Sequence, residues 1–555
     1  MNSKSALGLN EKILIFGIPG VTLLVWTGAA LDPVNLPKML LLTLIAFSSV
    51  YGTYIQLKMN WRATPRIFLV LQFFSILWLF VALIGSENNV LESFFGVNGR
   101  YTGALTYVSF SFIAVAIVLN YSKSFYEKVL NSLIFAGVFN LIYCGYVIIS
   151  NDDPLPWNNV YGNILGTLGN PNFISSFLGI LNVALFVKLI SNVKNIKLVF
   201  VWIGLLSISI LEIIDSASRQ GIIVTLVGCG AVFVYRVFSS SMNSPLKFIS
   251  LGSYLAGGTL ALFGMFQIGP LTNLIYKTSI SIRGAYWRAG WETMLQNPLF
   301  GTGPDGFGDW YPRVRDERAM VLPGPNVITN SPHNIFIEQG VNGGFPLFVL
   351  YLSSQLYILV CGVRYLRNNS GFNPLFAVSF FGWLGFTAQS LISINQIGLA
   401  VWGYVLGGIT IGTYHHAVNS TNSKIGHPKV FSKAKKEASI ALTCFGGIVG
   451  LLLAFPPFYA DANWRNALES KDLNKIVSAA NQWPQSTDRY IQVIKLLFEN
   501  KFYVESLEFT RQGLAFNQNS ARLWYFLYQL PGSTEEEKES AIENLAKLDP
   551  NFVVK

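Results

Sequence analysis

Charge is scarce in this chain: Asp, Glu, Lys and Arg make up 12% of its 555 residues, against about 25% in an ordinary soluble protein. The apolar residues account for 52% and are gathered into blocks, which excludes a merely greasy soluble fold and points to the membrane. Cysteine is almost absent. Cys144, Cys229, Cys361 and Cys444 all fall inside apolar blocks without paired spacing, so neither a disulfide framework nor a zinc site is expected, and they read as small apolar packers. A continuous basic patch is missing too. The formal net charge is +10, but Lys and Arg are scattered through short loops, which argues against a nucleic-acid partner and assigns them to topology. A cleavable leader is not expected either, because the apolar run from Ile13 to Ala30 is long and lacks a cleavage site.

What is there is a series of thirteen apolar blocks of about 20 residues, each long enough to span a bilayer. They centre near Val21, Ala46, Ile76, Phe112, Gly137, Gly179, Leu206, Gly228, Gly257, Leu352, Gly385, Leu406 and Gly447. Alternate loops differ in charge. One set carries Lys4 and Lys12; Lys58, Arg62 and Arg66; Lys123 and Lys128; Lys194 and Lys197; Arg236 and Lys247; Arg364 and Arg367; and finally Lys424, Lys429, Lys433, Lys435 and Lys436. The other set carries Asp32, Glu87, Glu92, Asp152, Asp153 and Asp215. The positive-inside rule then places the N-terminus in the cytoplasm and, with an odd span count, the C-terminus outside.

Two segments break the alternation. The stretch from about 270 to 334 is polar, rich in Arg and aromatics, and punctuated by Gly and Pro; it is expected as one large outer loop. Residues 461–555 are polar with a helical period and read as a separate soluble domain following the membrane region of residues 1–460. Their alternation of helix and turn, as in Phe502 to Leu507, Gly513 to Ala515 and Ser520 to Trp524, resembles tetratricopeptide repeats. Such a tail binds a protein partner or packs on its own chain. The fold class expected is all-α, a polytopic transmembrane bundle with an outer helical tail.

Polar residues beside membrane spans are few, so each is informative. Arg219 ends the segment Asp215-Ser216-Ala217-Ser218-Arg219. Arg283 and Arg288 lie in the large loop, His333 lies just before the tenth span, and Arg100 lies before the fourth. Alone, each reads as a snorkelling cation or a hydrogen-bonded cap. Together Arg219, Arg283, His333 and Arg100 share one face. Arginine offers a planar fork of donors that matches phosphate oxygens, and His can take a proton near neutrality. Two or three arginines with one His suit a diphosphate leaving group and an attacking hydroxyl. The nearby acids Asp305, Asp309, Asp316 and Glu317 show no metal-ligand spacing, so neither metal nor cofactor is expected.

These residues carry a resemblance. Ser218-Arg219, Arg283-x3-Trp287, Asn297-Pro298-Leu299-Phe300-Gly301-Thr302-Gly303, His333-Asn334 and Gly343-Gly344 follow one another over the second half of the membrane region. Pro37-Lys38, Gly99-Arg100-x2-Gly103 and Gly169-Asn170-Pro171-Asn172 precede them. In order and spacing, over residues 10 to 415, the chain resembles the O-antigen ligase and polymerase superfamily. The resemblance implies metal-independent, inverting transfer of a glycan from a polyprenyl-diphosphate carrier to a glycan, lipid or protein hydroxyl, at the outer face of the cytoplasmic (inner) membrane. It implies that Arg219 and Arg283 bind the diphosphate and that His333 activates or orients the acceptor. Arg288 is a substitute for Arg283, and Arg100 and Lys38 are secondary donors. Membrane lipids surround the site. Two departures stand out: the early glycine in Glu338-Gln339-Gly340, and the thirteenth span with its tail. Repeat-unit polymerase and protein O-oligosaccharyltransferase are the close alternatives. A lipid-linked oligosaccharide transporter or a non-catalytic scaffold is the distant one, since no repeat relates the two halves.

Overall fold

The structure is a computed structural model that describes residues 4–59, 64–157, 159–422 and 433–551. Arg62, Lys424 and Lys429 of the basic loops lie outside the described residues. The described chain is helical throughout, without strands.

Helices α1 (Lys4–Leu23), α2 (Asn35–Met59) and α3 (Arg66–Gly85) open the bundle. A short α4 (Val90–Phe95) precedes α5 (Ala104–Leu119), α6 (Lys123–Ser150), α7 (Pro171–Ser191), α8 (Ile196–Asp215), α9 (Gln220–Phe238) and α10 (Ser244–Met265). Next come the helices of the long connection, α11 (Thr272–Ile275), α12 (Thr278–Gln296), α13 (Phe307–Val314) and α14 (Glu317–Val321). Helices α15 (Ile335–Asn368), α16 (Pro374–Ser390), α17 (Ile397–Asn422) and α18 (Lys433–Ser470) complete the bundle. The tail adds α19 (Leu473–Ala480), α20 (Thr487–Glu499), α21 (Tyr503–Phe516), α22 (Ala521–Gln529) and α23 (Glu535–Leu548).

Every expected span falls on one of these helices. Ten described helices are long and apolar enough to cross a membrane, and α5, with 16 residues, is a shorter apolar helix. The first span ends at Leu23, earlier than the apolar run suggests, and Lys38 reaches back to its last turn. Lys38 Nζ donates to the carbonyls of Thr22 and Leu24 at 2.7 and 2.8 Å, which satisfies groups that water cannot reach. Helices α7 and α17 form the buried centre of the bundle and α10 its most exposed edge. Large apolar side chains such as Phe73, Ile84, Ile142 and Phe248 are exposed along the outward faces, as a hydrocarbon solvent requires.

The glycines of the Asn297-to-Gly303 motif act as a clasp. Helix α15 breaks at Gly343 and Gly344, the latter at φ +66°. The motif loop grips that break: Phe345 N donates to Pro298 O at 2.8 Å and Thr302 N to Val341 O at 2.7 Å. A Cβ on Gly344 would collide with Leu299 O, and one on Gly301 with Val341 O, so the backbones approach only because both are glycine. The freed carbonyl of Gly343 accepts from Trp78 Nε1 at 2.8 Å. The early Gly340 does not delay the helix, which starts at Ile335; it admits the Met294 side chain of α12.

The tail is continuous with the membrane region, since α18 runs through the expected boundary at 460/461 without a break. Trp464 on this helix is fully buried in the apolar core of the tail. Consecutive tail helices pair, α20 on α21 and α22 on α23. The tail is pinned to one end of the bundle. Glu92 accepts from Thr487 N and Oγ1 at 2.7 and 2.9 Å, Arg313 donates to Asn519 at 2.7 Å, and Arg315 pairs with Asp549 at 2.7 Å.

Candidate functional site

The end of the bundle that carries the tail also collects the loops that hold the sequence candidates. A cavity of about 690 Å³ opens there. Its lining includes Arg283 and His333, the segment Gly169-Asn170-Asn172 and Gln220, together with Asp32, Asn98, Asp461 and Gln492.

Two helix starts meet at this cavity. Asn170 caps α7, its side chain accepting from Asn172 N at 2.9 Å, with Pro171 in the first turn. Asn172 Oδ1 accepts from Ser218 Oγ at 2.8 Å, which ties α7 to the loop before α9. Arg219 is the residue before α9, and Gln220 is its first residue. The N-terminal ends of helices carry partial positive charge and spare N–H groups, which favour anions.

The four arginines proposed from sequence separate into two kinds. Arg100 is buried and spent: it pairs with Glu338, lies 3.6 Å from Asp305 and donates to Asn330 O. Burial opposes its charge, but Glu338 and Asp305 more than compensate and raise its pKa. Asp305 is itself held by Thr102 N and Oγ1. Glu338 also accepts from Ser331 Oγ at 2.7 Å, and Ser331 Oγ accepts from His333 N at 3.2 Å. Arg100 therefore braces the loop that presents His333. Arg288 is spent as well, paired with Asp316 at 2.8 Å on an exposed face and away from the cavity lining. By contrast, Arg283 and Arg219 make no ion pair among the described residues. Arg283 lines the cavity, and burial lowers its pKa. Arg219 lies beside the lining residue Gln220, its Nε buried without a hydrogen-bond partner. Lys38, the remaining secondary candidate, is fully buried and committed to α1.

His333 sits at φ +54°, in the left-handed region that few residues other than glycine enter, His being among the commoner exceptions. Its ring stacks on Tyr286 at 5.5 Å. Burial, then the charges of Arg283 and Arg100, push its pKa down to about 3. The imidazole is neutral at working pH, able to accept a hydrogen bond from a hydroxyl but a weak base while both cations face it.

Sequence reasoning missed several groups. Burial, then the nearby charge of Arg219, lowers the pKa of Lys277, which donates to Ala217 O. Asp305 and Glu338, which hold Arg100, gave no signal beyond being acids near a predicted loop. Asp461 and Gln492 lie beyond the membrane region and line the cavity only because the tail folds back. Among the described residues, no three His, Cys, Asp or Glu side chains gather where a metal ion would sit.

Residues 204–352 match the family model described as O-antigen ligase. The match spans the region that carries Arg219, Arg283, Arg288 and His333. No curated protein matches the chain. The family match supports the resemblance to the O-antigen ligase superfamily and, with ten apolar helices, a multi-pass membrane protein that transfers glycans.

Proposed function

We propose that this protein transfers a glycan from a polyprenyl-diphosphate carrier to an acceptor hydroxyl on the extracytoplasmic side of the cytoplasmic membrane. The observation that carries this reading is the division among the arginines. Arg100 and Arg288 have carboxylate partners, whereas Arg283 and Arg219 are unpaired beside two helix starts. Two unpaired guanidinium groups suit the two phosphates of the carrier.

In this reading the acceptor oxygen attacks the anomeric carbon as the bond from that carbon to the diphosphate oxygen breaks. The electron pair of the broken bond leaves on the phosphate, where Arg283 and Arg219 stabilise it. The acceptor proton passes to His333. A bound diphosphate neutralises the field of Arg283, which raises the basicity of His333 when the donor is in place. One displacement inverts the anomeric centre. The tail, with its paired helices, reads as tetratricopeptide-like.

The test is an envelope glycan profile of cells lacking the protein, complemented with wild type, Arg219→Ala, Arg283→Ala or His333→Ala at matched membrane levels. Loss of attachment by about 10²-fold or more, with lipid-linked chains of normal length accumulating, supports the ligase reading. Accumulation of single repeat units indicates a polymerase instead. Full complementation by all three variants refutes the site.

A further inference from the structure

The cavity is not uniform in charge. The part formed by α7, α9, α12 and the His333 loop carries Arg283, Gln220, Asn172 and two helix starts. The remainder carries Asp32, Asp461, Asn98 and Gln492, without a cation. That part offers a phosphate no guanidinium or ammonium group in its lining, so the diphosphate of a donor belongs to the first part. The second part fits a ligand that is neutral and donates and accepts hydrogen bonds.

Its free groups are specific. Asp461 Oδ2 is occupied by Leu31 N and Asp32 N at 2.7 and 3.0 Å, while Oδ1 has no described partner. Gln492 Oε1 accepts from Trp464 Nε1 at 3.2 Å, which fixes the amide and leaves its NH₂ unpaired. Asn98 Oδ1 accepts from Tyr101 Oη at 2.6 Å, which likewise frees its NH₂. One carboxylate acceptor and two fixed amide donors suit hydroxyls, which both donate and accept. The ring of Tyr161 also lines the cavity and offers an apolar face to the C–H side of a pyranose.

We propose that the C-terminal helical domain forms part of the acceptor subsite, through Asp461 at its junction and Gln492 on α20, and that this subsite takes a sugar. This rests on the glycan-transfer reading above and assigns its acceptor side. The tail is docked as one wall of the cavity, with Glu92, Arg313 and Arg315 each bonding it to the membrane region.

The experiment is cysteine protection in the full-length protein, in membranes, with the exposed Cys444 replaced (Cys444→Ala). Gln492→Cys, Asn98→Cys and Gln220→Cys are each labelled with a membrane-impermeant maleimide. The probes are polyprenyl diphosphate, the oligosaccharide pool released by mild acid from the cell's own envelope, and a Ser/Thr-rich peptide. Expected is slowing by the oligosaccharides at positions 492 and 98, about fivefold at four times their Kd, with polyprenyl diphosphate slowing position 220 instead. The proposal is overturned if the oligosaccharides leave both 492 and 98 unprotected, or if only the peptide or the polyprenyl diphosphate protects them. Failure of polyprenyl diphosphate at position 220 alone counts against the donor reading, not against this one.

Discussion

Docking of the tail is expected to weaken as pH rises, and Glu92 is the reason. Its carboxylate is buried between α4 and the tail, where it accepts two hydrogen bonds from Thr487. Burial, reinforced by Asp309, pushes its pKa from 4.5 up to about 8. The docked state therefore holds a proton that the undocked state gives up. The sign follows: docking is strongest below pH 4.5 and loses stability as pH climbs towards 8, after which the loss levels off. One pKa unit corresponds to about 1.4 kcal/mol, so the full difference is about 5 kcal/mol. Glu92→Gln keeps the shape and an acceptor oxygen but removes the titration. Hydrogen exchange of α20 in the full-length membrane-embedded protein, followed from pH 5 to 9 and corrected for intrinsic exchange, reads the effect. Wild-type protection should fall through this range, and that of Glu92→Gln should fall less and exceed wild type at pH 9. Identical profiles for the two proteins would refute the reasoning.

Other substitutions separate spent groups from free ones. Arg288→Ala removes only a half-exposed pair with Asp316, so transfer in membranes should stay within about threefold of wild type. Lys38→Met strips the carbonyl of Leu24 of its described donor. Thermal unfolding should show a loss of about 2 kcal/mol while the KM for donor is unchanged; a raised donor KM at wild-type stability would instead support Lys38 as a secondary donor to the phosphate. Gly344→Ala forces a side chain into Leu299 O at positive φ and should cost more than about 3 kcal/mol, read as failure to accumulate in the membrane. Gly257→Ala, which meets only open space, should accumulate normally.

The spans were legible because a bilayer imposes length and apolarity on each one, a signal that a single chain displays directly. That Arg283 and His333 line one cavity was hinted at for a related reason: polar residues at membrane ends are rare enough to be noticed. The pairing of those residues was not. Arg100 and Arg283 look alike in sequence, and only the fold sets Glu338 and Asp305 against one and leaves the other unpaired. Lys38 was read as a secondary donor to phosphate or acceptor; its place at the end of α1 was not legible, since a helix end that needs a donor leaves no local mark on the lysine that supplies it. Asp461 was hidden by distance, being 429 positions from the Asp32 amide it binds.

The continuity of α18 carries a mechanical consequence. A helix of 38 residues is about 57 Å long at 1.5 Å per residue, more than the roughly 30 Å of hydrocarbon it has to cross. It works as a ruler whose zero is set by the lipid and whose far mark carries Asp461. One inserted residue would turn everything beyond it by about 100°, swinging that carboxylate away from Leu31 and Asp32. The distance of the cavity from the apolar stretch of α18 and the aim of the tail are thus two readings on a single scale, so neither can be altered without resetting the other.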